Sequence, residues 1–193
     1  MKKLRNCCLV FVLLLTGCMT PKGWVKPGDS ELLVHEKTSL SFPEEIGEYK
    51  RLNVIPSRNP YVGDQVIYQN ASKTKISVFM QPSQDAKQYF ELSKIVLIQT
   101  GVDKAIEDKP LTIKHKGKSL KAQTQRGFGK VFEYKLGDKT VYMSQMESVS
   151  VFAMDGFALK IRSSVYLNPE HKSVALENAR DGEMKILKGV LGS

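Results

Sequence analysis

The sequence predicts an α+β fold: an antiparallel β-sheet of about 6–8 strands in two halves, one helix between the halves (~84–100), and a carboxyl-terminal helix (~169–188) packed on the sheet. Three observations carry this expectation. Apolar and polar residues alternate between Tyr49 and Met80, the period of half-buried strands. After Pro82 the apolar positions recur at helical spacing. Beyond Leu111 the alternation returns, broken by short glycine-containing turns, until Asn168-Pro169 opens a second helical pattern.

Residues 1–17 read as a leader rather than as part of this fold. Lys2, Lys3 and Arg5 precede an unbroken apolar run, Cys7 to Leu15, and no acid occurs before Asp29. A spanning helix needs roughly 20 apolar residues to cross a ~30 Å hydrocarbon core. A basic start followed by a shorter apolar run is the layout of a secretory signal peptide. The run closes on Leu15-Thr16-Gly17-Cys18, which resembles the bacterial lipobox: aliphatic, small, small, cysteine.

That resemblance implies a diacylglycerol thioether on the Cys18 sulfur, cleavage between Gly17 and Cys18, and acylation of the new amino group. Cys18 is then the first mature residue and the attachment to the lipid bilayer. Each buried CH₂ contributes about 0.8 kcal/mol, and two or more chains give stable anchoring. The expected address is the cell envelope. Met19 is not the aspartate that marks inner-membrane retention in enterobacteria, so with two membranes the periplasmic face of the outer one is expected.

Cys7 and Cys8 leave with the leader, so a body whose one thiol is alkylated has no disulfide and no cysteine-ligated metal. Cleavage also removes three basic residues and no acid, taking the formal charge from +9 to +6. That charge draws the body toward anionic lipid headgroups, or simply keeps it soluble. Export removes nucleic acid as a partner. Residues 18–31, with Pro21, Gly23, Pro27 and Gly28, read as an anchor and flexible linker. Trp24 within it is either an interfacial anchor or a lid over the core edge. Residues 32–193 then form a single domain.

In the first half, Tyr49–Ile55, Gln65–Gln69 and Ile76–Met80 are expected strands, the last two joined by the turn Asn70 to Lys73. Ser83 is the expected N-cap of the first helix and Asp85 suits its first turn. Ala86, Tyr89, Phe90, Ser93, Val96 and Leu97 form its face, and Gly101 stops it. Because Ile95 to Ile98 is apolar all round, the last turn is expected to be covered.

In the second half the expected strands are Leu111–His115, Ser119–Gln125, Lys130–Leu136, Lys139–Ser148, Val149–Met154 and Phe157–Tyr166. Asp155-Gly156 favours a type I′ turn, in which both positions take positive φ. Asn168 caps and Pro169 starts the final helix, where Gly182 costs about 1 kcal/mol relative to alanine and so points to a bend or a close contact. This element order, with the pattern "FPEEIGEYKRLNV … VIYQN … KISVFM", resembles the broad group of exported α/β-sandwich domains related to PsbP and Mog1, over about residues 40–190. The group includes small lipoproteins of unassigned activity, so the resemblance implies a fold and no site residue.

Chemistry is sparse in the sequence. His35, His115 and His171 stand far apart without ligand spacing, and no G-x-S-x-G, H-E-x-x-H, P-loop or EF-hand pattern occurs. No catalytic residue, metal or cofactor is expected. Gly127-Phe128-Gly129 is better explained by a turn or bulge than by a nucleotide loop. Glu44-Glu45 and Asp103, Glu107 and Asp108 are acidic clusters expected to be solvated. "KPLTIKHKGKSLK", Lys109 to Lys121, carries five lysines and no acid. On a hairpin Lys114, Lys116, Lys118 and Lys121 form a candidate anion site, or else guard an exposed edge against pairing.

The functional expectation is a tethered, non-catalytic module that binds an envelope protein partner or an anionic lipid headgroup. The alternatives are a hydrolase-type enzyme whose residues converge only in the fold, and a small-ligand or lipid carrier with an apolar cavity between sheet and helix.

Overall fold

The computed structural model describes residues 20–28, 30–59, 62–82, 85–99, 101–106 and 109–192. Gly17, Cys18 and Met19 lie outside the described residues, as do Ser83, Glu107 and Asp108. The chain enters through three short strands, β1 (Trp24–Val25), β2 (Leu33–His35) and β3 (Ser41–Phe42), which pair in that order as a small antiparallel sheet. Then follow β4 (Glu45–Ile46), β5 (Tyr49–Ile55), β6 (Asp64–Gln69), β7 (Lys75–Gln81), helix α1 (Ala86–Gln99) and β8 (Val102–Ile106). The second half adds β9 (Thr112–His115), β10 (Lys118–Lys121), β11 (Gln123–Leu136), β12 (Lys139–Met154), β13 (Phe157–Leu167), a 3₁₀ turn (Pro169–His171) and α2 (Lys172–Leu191).

The two halves meet in one eight-stranded antiparallel sheet, ordered β4-β5-β6-β7-β13-β12-β11-β8. The junction is β7 on β13, where Val78 faces Ile161 and Met80 faces Leu159. β9 and β10 stand apart as a hairpin.

Period-2 alternation puts different residues on the two faces, and the helices cover opposite faces rather than sharing one. On one side α2 buries Ile186, Leu187 and Val190 against Val66, Tyr68, Ile76, Val78, Met80, Phe152, Leu159 and Ile161. The small sheet (Trp24, Leu33, Phe42) and the β9–β10 hairpin (Ile113) close the same core. On the other side α1 packs Tyr89, Phe90 and Leu97 on Val102, Val149, Val151 and Ala158. Each such burial is worth about 1.5–3 kcal/mol.

Several local expectations change. The N-cap of α1 is Asp85, whose Oδ1 accepts from the Gln88 N–H at 2.9 Å. The last turn of α1 is not covered: Ile95 is 51 % and Ile98 65 % exposed, and Leu92 and Val96 are exposed beside them. Only Leu97 of that turn reaches the sheet. Strands expected as pairs are continuous in β11 and β12, and the Gly127–Gly129 segment is a β-bulge, with register slipping between Phe128 and Val131. Beyond the bulge the two strands leave the sheet as a ribbon that exposes Val131, Phe132 and Tyr142. The I′ pattern appears at Lys116-Gly117 (φ 49° and 77°), whereas in the Asp155-Gly156 turn only Gly156 takes a positive φ.

The amino-terminal segment is not free chain throughout, because the fold recruits it. Trp24 is buried, its ring centroid 4.9 Å from that of His35 and 5.3 Å from that of Phe42. Of the two roles open for Trp24, the one at the core edge is realised.

Candidate functional site

A cleft of about 270 Å³ opens at the end of the sheet where β5, β7 and β12 finish. Its walls are the β2–β3 turn (Lys37, Thr38), the β5–β6 loop (Ser57, Arg58, Asn59), the start of β6 (Asp64) and the β12–β13 turn (Gly156, Phe157). A second cavity of about 790 Å³ adjoins it along Lys22, Gly23, Glu36 and Pro56, sharing His35, Lys37, Ser57, Arg58 and Asp64 with the first. Strand ends converge here because every antiparallel connection must leave the sheet at one end or the other.

His35 forms the inner wall. Its Nε2 lies 2.8 Å from Asp64 Oδ2, and its Nδ1 lies 2.8 Å from Thr38 Oγ1. An ionised carboxylate only accepts, so Nε2 carries the hydrogen toward Asp64. In the neutral ring Nδ1 is therefore the acceptor, and the Thr38 hydroxyl donates to it. Thr38 Oγ1 also receives the Leu40 N–H at 3.4 Å, which helps fold the turn that has Ser39 at φ 56°. Asp64 Oδ1 accepts the Ser57 N–H at 2.7 Å and so fixes the opposite wall. One buried histidine thus ties the small sheet, the turn and the β5–β6 loop together.

The rim is basic. Lys22, Lys37 and Arg58 border the cleft, and none of them makes an ion pair among the described residues. Chemically this offers two things: a cationic seat for a phosphate or carboxylate, and an acid–base–hydroxyl relay of the kind that activates nucleophiles.

The lysine hairpin lies next door. Lys114, Lys116, Lys118 and Lys121 are all exposed. By register Lys114 and Lys121 share one face of the hairpin, Lys116 is in the turn, and Lys118 is on the other face opposite His115. Lys118 reaches Asp155 at 3.4 Å, and the next residue, Gly156, lines the cleft. The four lysines therefore do not form one cluster.

The remaining polar groups have other partners. His171 is exposed in the 3₁₀ turn, and His115 is half-buried at the end of β9. Among the described residues no three His, Cys, Asp or Glu side chains converge for a metal. Glu45 pairs with Lys50 at 2.7 Å, while Glu44 meets Glu31, whose carboxyl it pushes above the usual range by hydrogen bonding and then by charge. Asp103 falls in β8. Two buried acids escaped the sequence reading, and both serve packing. Glu183 binds Arg126, Ser148 and Ser163, and Glu147 binds Arg162, Gln145 and Ser164.

His35 and Asp64 stand 29 residues apart, and neither carries a local signal. No protein-family model matches the chain, and no curated protein matches it.

Proposed function

We propose that the chain is a lipid-anchored envelope protein whose body is a non-catalytic binding module, with the cleft as its recognition element. The observation that carries this is a set of three cations, Lys22, Lys37 and Arg58, with no ion pair among the described residues, around a cleft whose inner wall is locked by His35 and Asp64. A preformed site with converging charges is what recognition of a small anionic group requires. The anchor rests on Leu15-Thr16-Gly17-Cys18, and in a two-membrane envelope Met19 favours the outer membrane. No helix among the described residues is long and apolar enough to cross a membrane.

Two measurements test this. Cys18→Ser should abolish metabolic labelling with a fatty acid, and a labelled variant removes Cys18 as the lipid site. A photocrosslinker at position 37 in intact cells should capture an envelope component that the same group at position 139, in the ribbon, does not. Identical capture from both positions removes the cleft as the recognition element.

One observation favours a second reading, a hydrolase. Thr38, His35 and Asp64 are hydrogen-bonded in series, and Thr38 lines the cleft. If this relay is catalytic, purified protein turns over activated esters and Thr38→Val abolishes turnover. Equal rates for the variant and the parent assign Thr38 to folding the turn.

A further inference from the structure

The mouth of the cleft is close to the proposed lipid. Lys22 borders its outer part and precedes β1, where Trp24 is fixed. Four residue steps separate Lys22 from Cys18. An extended chain advances at most ~3.3–3.6 Å per residue, which places the Lys22 backbone within about 14 Å of the acylated position. A bilayer of ~40–45 Å around a ~30 Å core leaves roughly 5–8 Å of headgroup layer on each side. The tether is thus short enough to hold the cleft at the headgroups, with α1 on the far side of the sheet.

The charges agree with that placement. Some lysines elsewhere have carboxylate partners, as in Lys50–Glu45, Lys94–Glu91 and Lys185–Glu48. Around the cleft Lys22, Lys37 and Arg58 have none among the described residues. The opposing acids are Glu36 at the rim, Asp64 inside and Asp155 beside Gly156; Asp64 is engaged by His35 and the Ser57 N–H, and Asp155 by Lys118. Arg58 offers a planar fork suited to phosphate oxygens, and the lysines offer mobile point charges.

We propose that the cleft binds the phosphoryl headgroup of an anionic phospholipid in the leaflet that holds the protein. This rests on the lipid-anchor reading above and deepens it: acyl chains and cleft together fix one end of the domain against the membrane, and the far end of the β11–β12 ribbon points away from it.

The mature protein is reconstituted into vesicles of phosphatidylcholine alone, or of phosphatidylcholine mixed with phosphatidylglycerol. Lysine acylation by a water-soluble N-hydroxysuccinimide ester is then followed by peptide mass spectrometry. Lys22 and Lys37 should react roughly fivefold more slowly on the anionic vesicles, the factor expected of one basic side chain at such a surface, with Lys139 at the far end of β12 unaffected. Arg58→Gln should remove most of that difference. Equal rates on both vesicles overturn the proposal. Protection by dissolved glycerol phosphate but not by anionic vesicles also overturns it, and makes the site one for free phosphate esters. The intact mass of the same sample reports separately whether residue 18 carries lipid. A chain without it is added to the same vesicles from solution and compared in the same way, so failure of the anchor and failure of the cleft are told apart.

Discussion

Arg126 and Glu183 face each other in a two-point ion pair sealed from solvent, with Nη2 2.7 Å from Oε2 and Nη1 3.2 Å from Oε1. Ser163 donates to Oε1 at 2.7 Å, and Ser148 donates to the same oxygen. Arg126, Ser148 and Ser163 lie side by side on one rung across β11, β12 and β13, and Glu183 descends on them from α2. This pairing sets the rotation of α2 over the sheet. Glu183→Ala leaves a buried guanidinium uncompensated and should cost about 3–5 kcal/mol in urea unfolding. Replacing both partners by Met and Leu should be far milder, neutral or even stabilising. A double variant as unstable as the single one would show that the serines, rather than the charge balance, fix the helix.

Gly182 lies beside that pair because nothing larger fits. A Cβ there would run into the Tyr49 hydroxyl and stand 2.9 Å from Ile76 Cδ1. Gly182→Ala should therefore lower stability by about 1–3 kcal/mol through overpacking, although alanine gains ~1 kcal/mol of helix propensity. A variant that melts higher than the parent would show that Tyr49 yields freely.

Lys160 lies on the α1 side with its Nζ 4.0 Å from the Phe79 ring centroid and 4.5 Å from that of Tyr89. Burial, and then the charge of Arg162, bring its amine down to about 8. Below that value both native and unfolded chains hold the proton and the burial penalty is felt. Above it the native state has released the proton while the unfolded chain, with a lysine pKa near ~10.4, retains it, so stability rises with pH. The tyrosines act in the opposite sense. Burial pushes Tyr49 up to about 12 and raises Tyr68 and Tyr89 as well, so their contribution is lost as pH climbs beyond about 10. Thermal melts should show a rise between roughly pH 8 and 10 that Lys160→Met abolishes. An unchanged profile in the variant would assign that rise to other groups.

The four apolar residues that α1 exposes predict a sharp contrast along one turn. Ile95→Lys removes little packing, since about half of the side chain is exposed, and should change stability by no more than ~0.5 kcal/mol. Leu97→Ala, between Tyr89 and Val149 in the core, should cost about 2–5 kcal/mol. A large loss on Ile95→Lys would mean that this face is covered in solution.

Strands with strict alternation were readable from the sequence, and β5 matches its expected span, Tyr49–Ile55, at both ends. β1 to β4 left no trace, since two or three residues cannot display a period and their pairing comes from tertiary contact. The sequence pattern breaks β12 at Ser148/Val149 because the buried stretch carries Ser148, which meets Glu183, and Ser150, which meets Thr124, so polar residues mark the inside there. The exposed turn of α1 misled for the opposite reason: hydrophobicity alone does not say which side faces the sheet. The candidate site was illegible because His35 and Thr38 come from one connection, and Arg58 and Asp64 from another, that only the fold brings together.

The entry strand has a mechanical consequence. β1 is joined to β2 by only two opposed pairs, Trp24 with His35 and Val25 with Val34, whereas β12 and β13 are zipped along the whole of β13. A pull applied at the amino end of the described chain therefore meets one of the shortest ladders first. β1 peels away while the eight-stranded sheet stays shut, a fuse that spares the rest of the fold. Pulling from residue 20 in an optical trap should give a small early step before global rupture, accompanied by a red shift of the sole tryptophan.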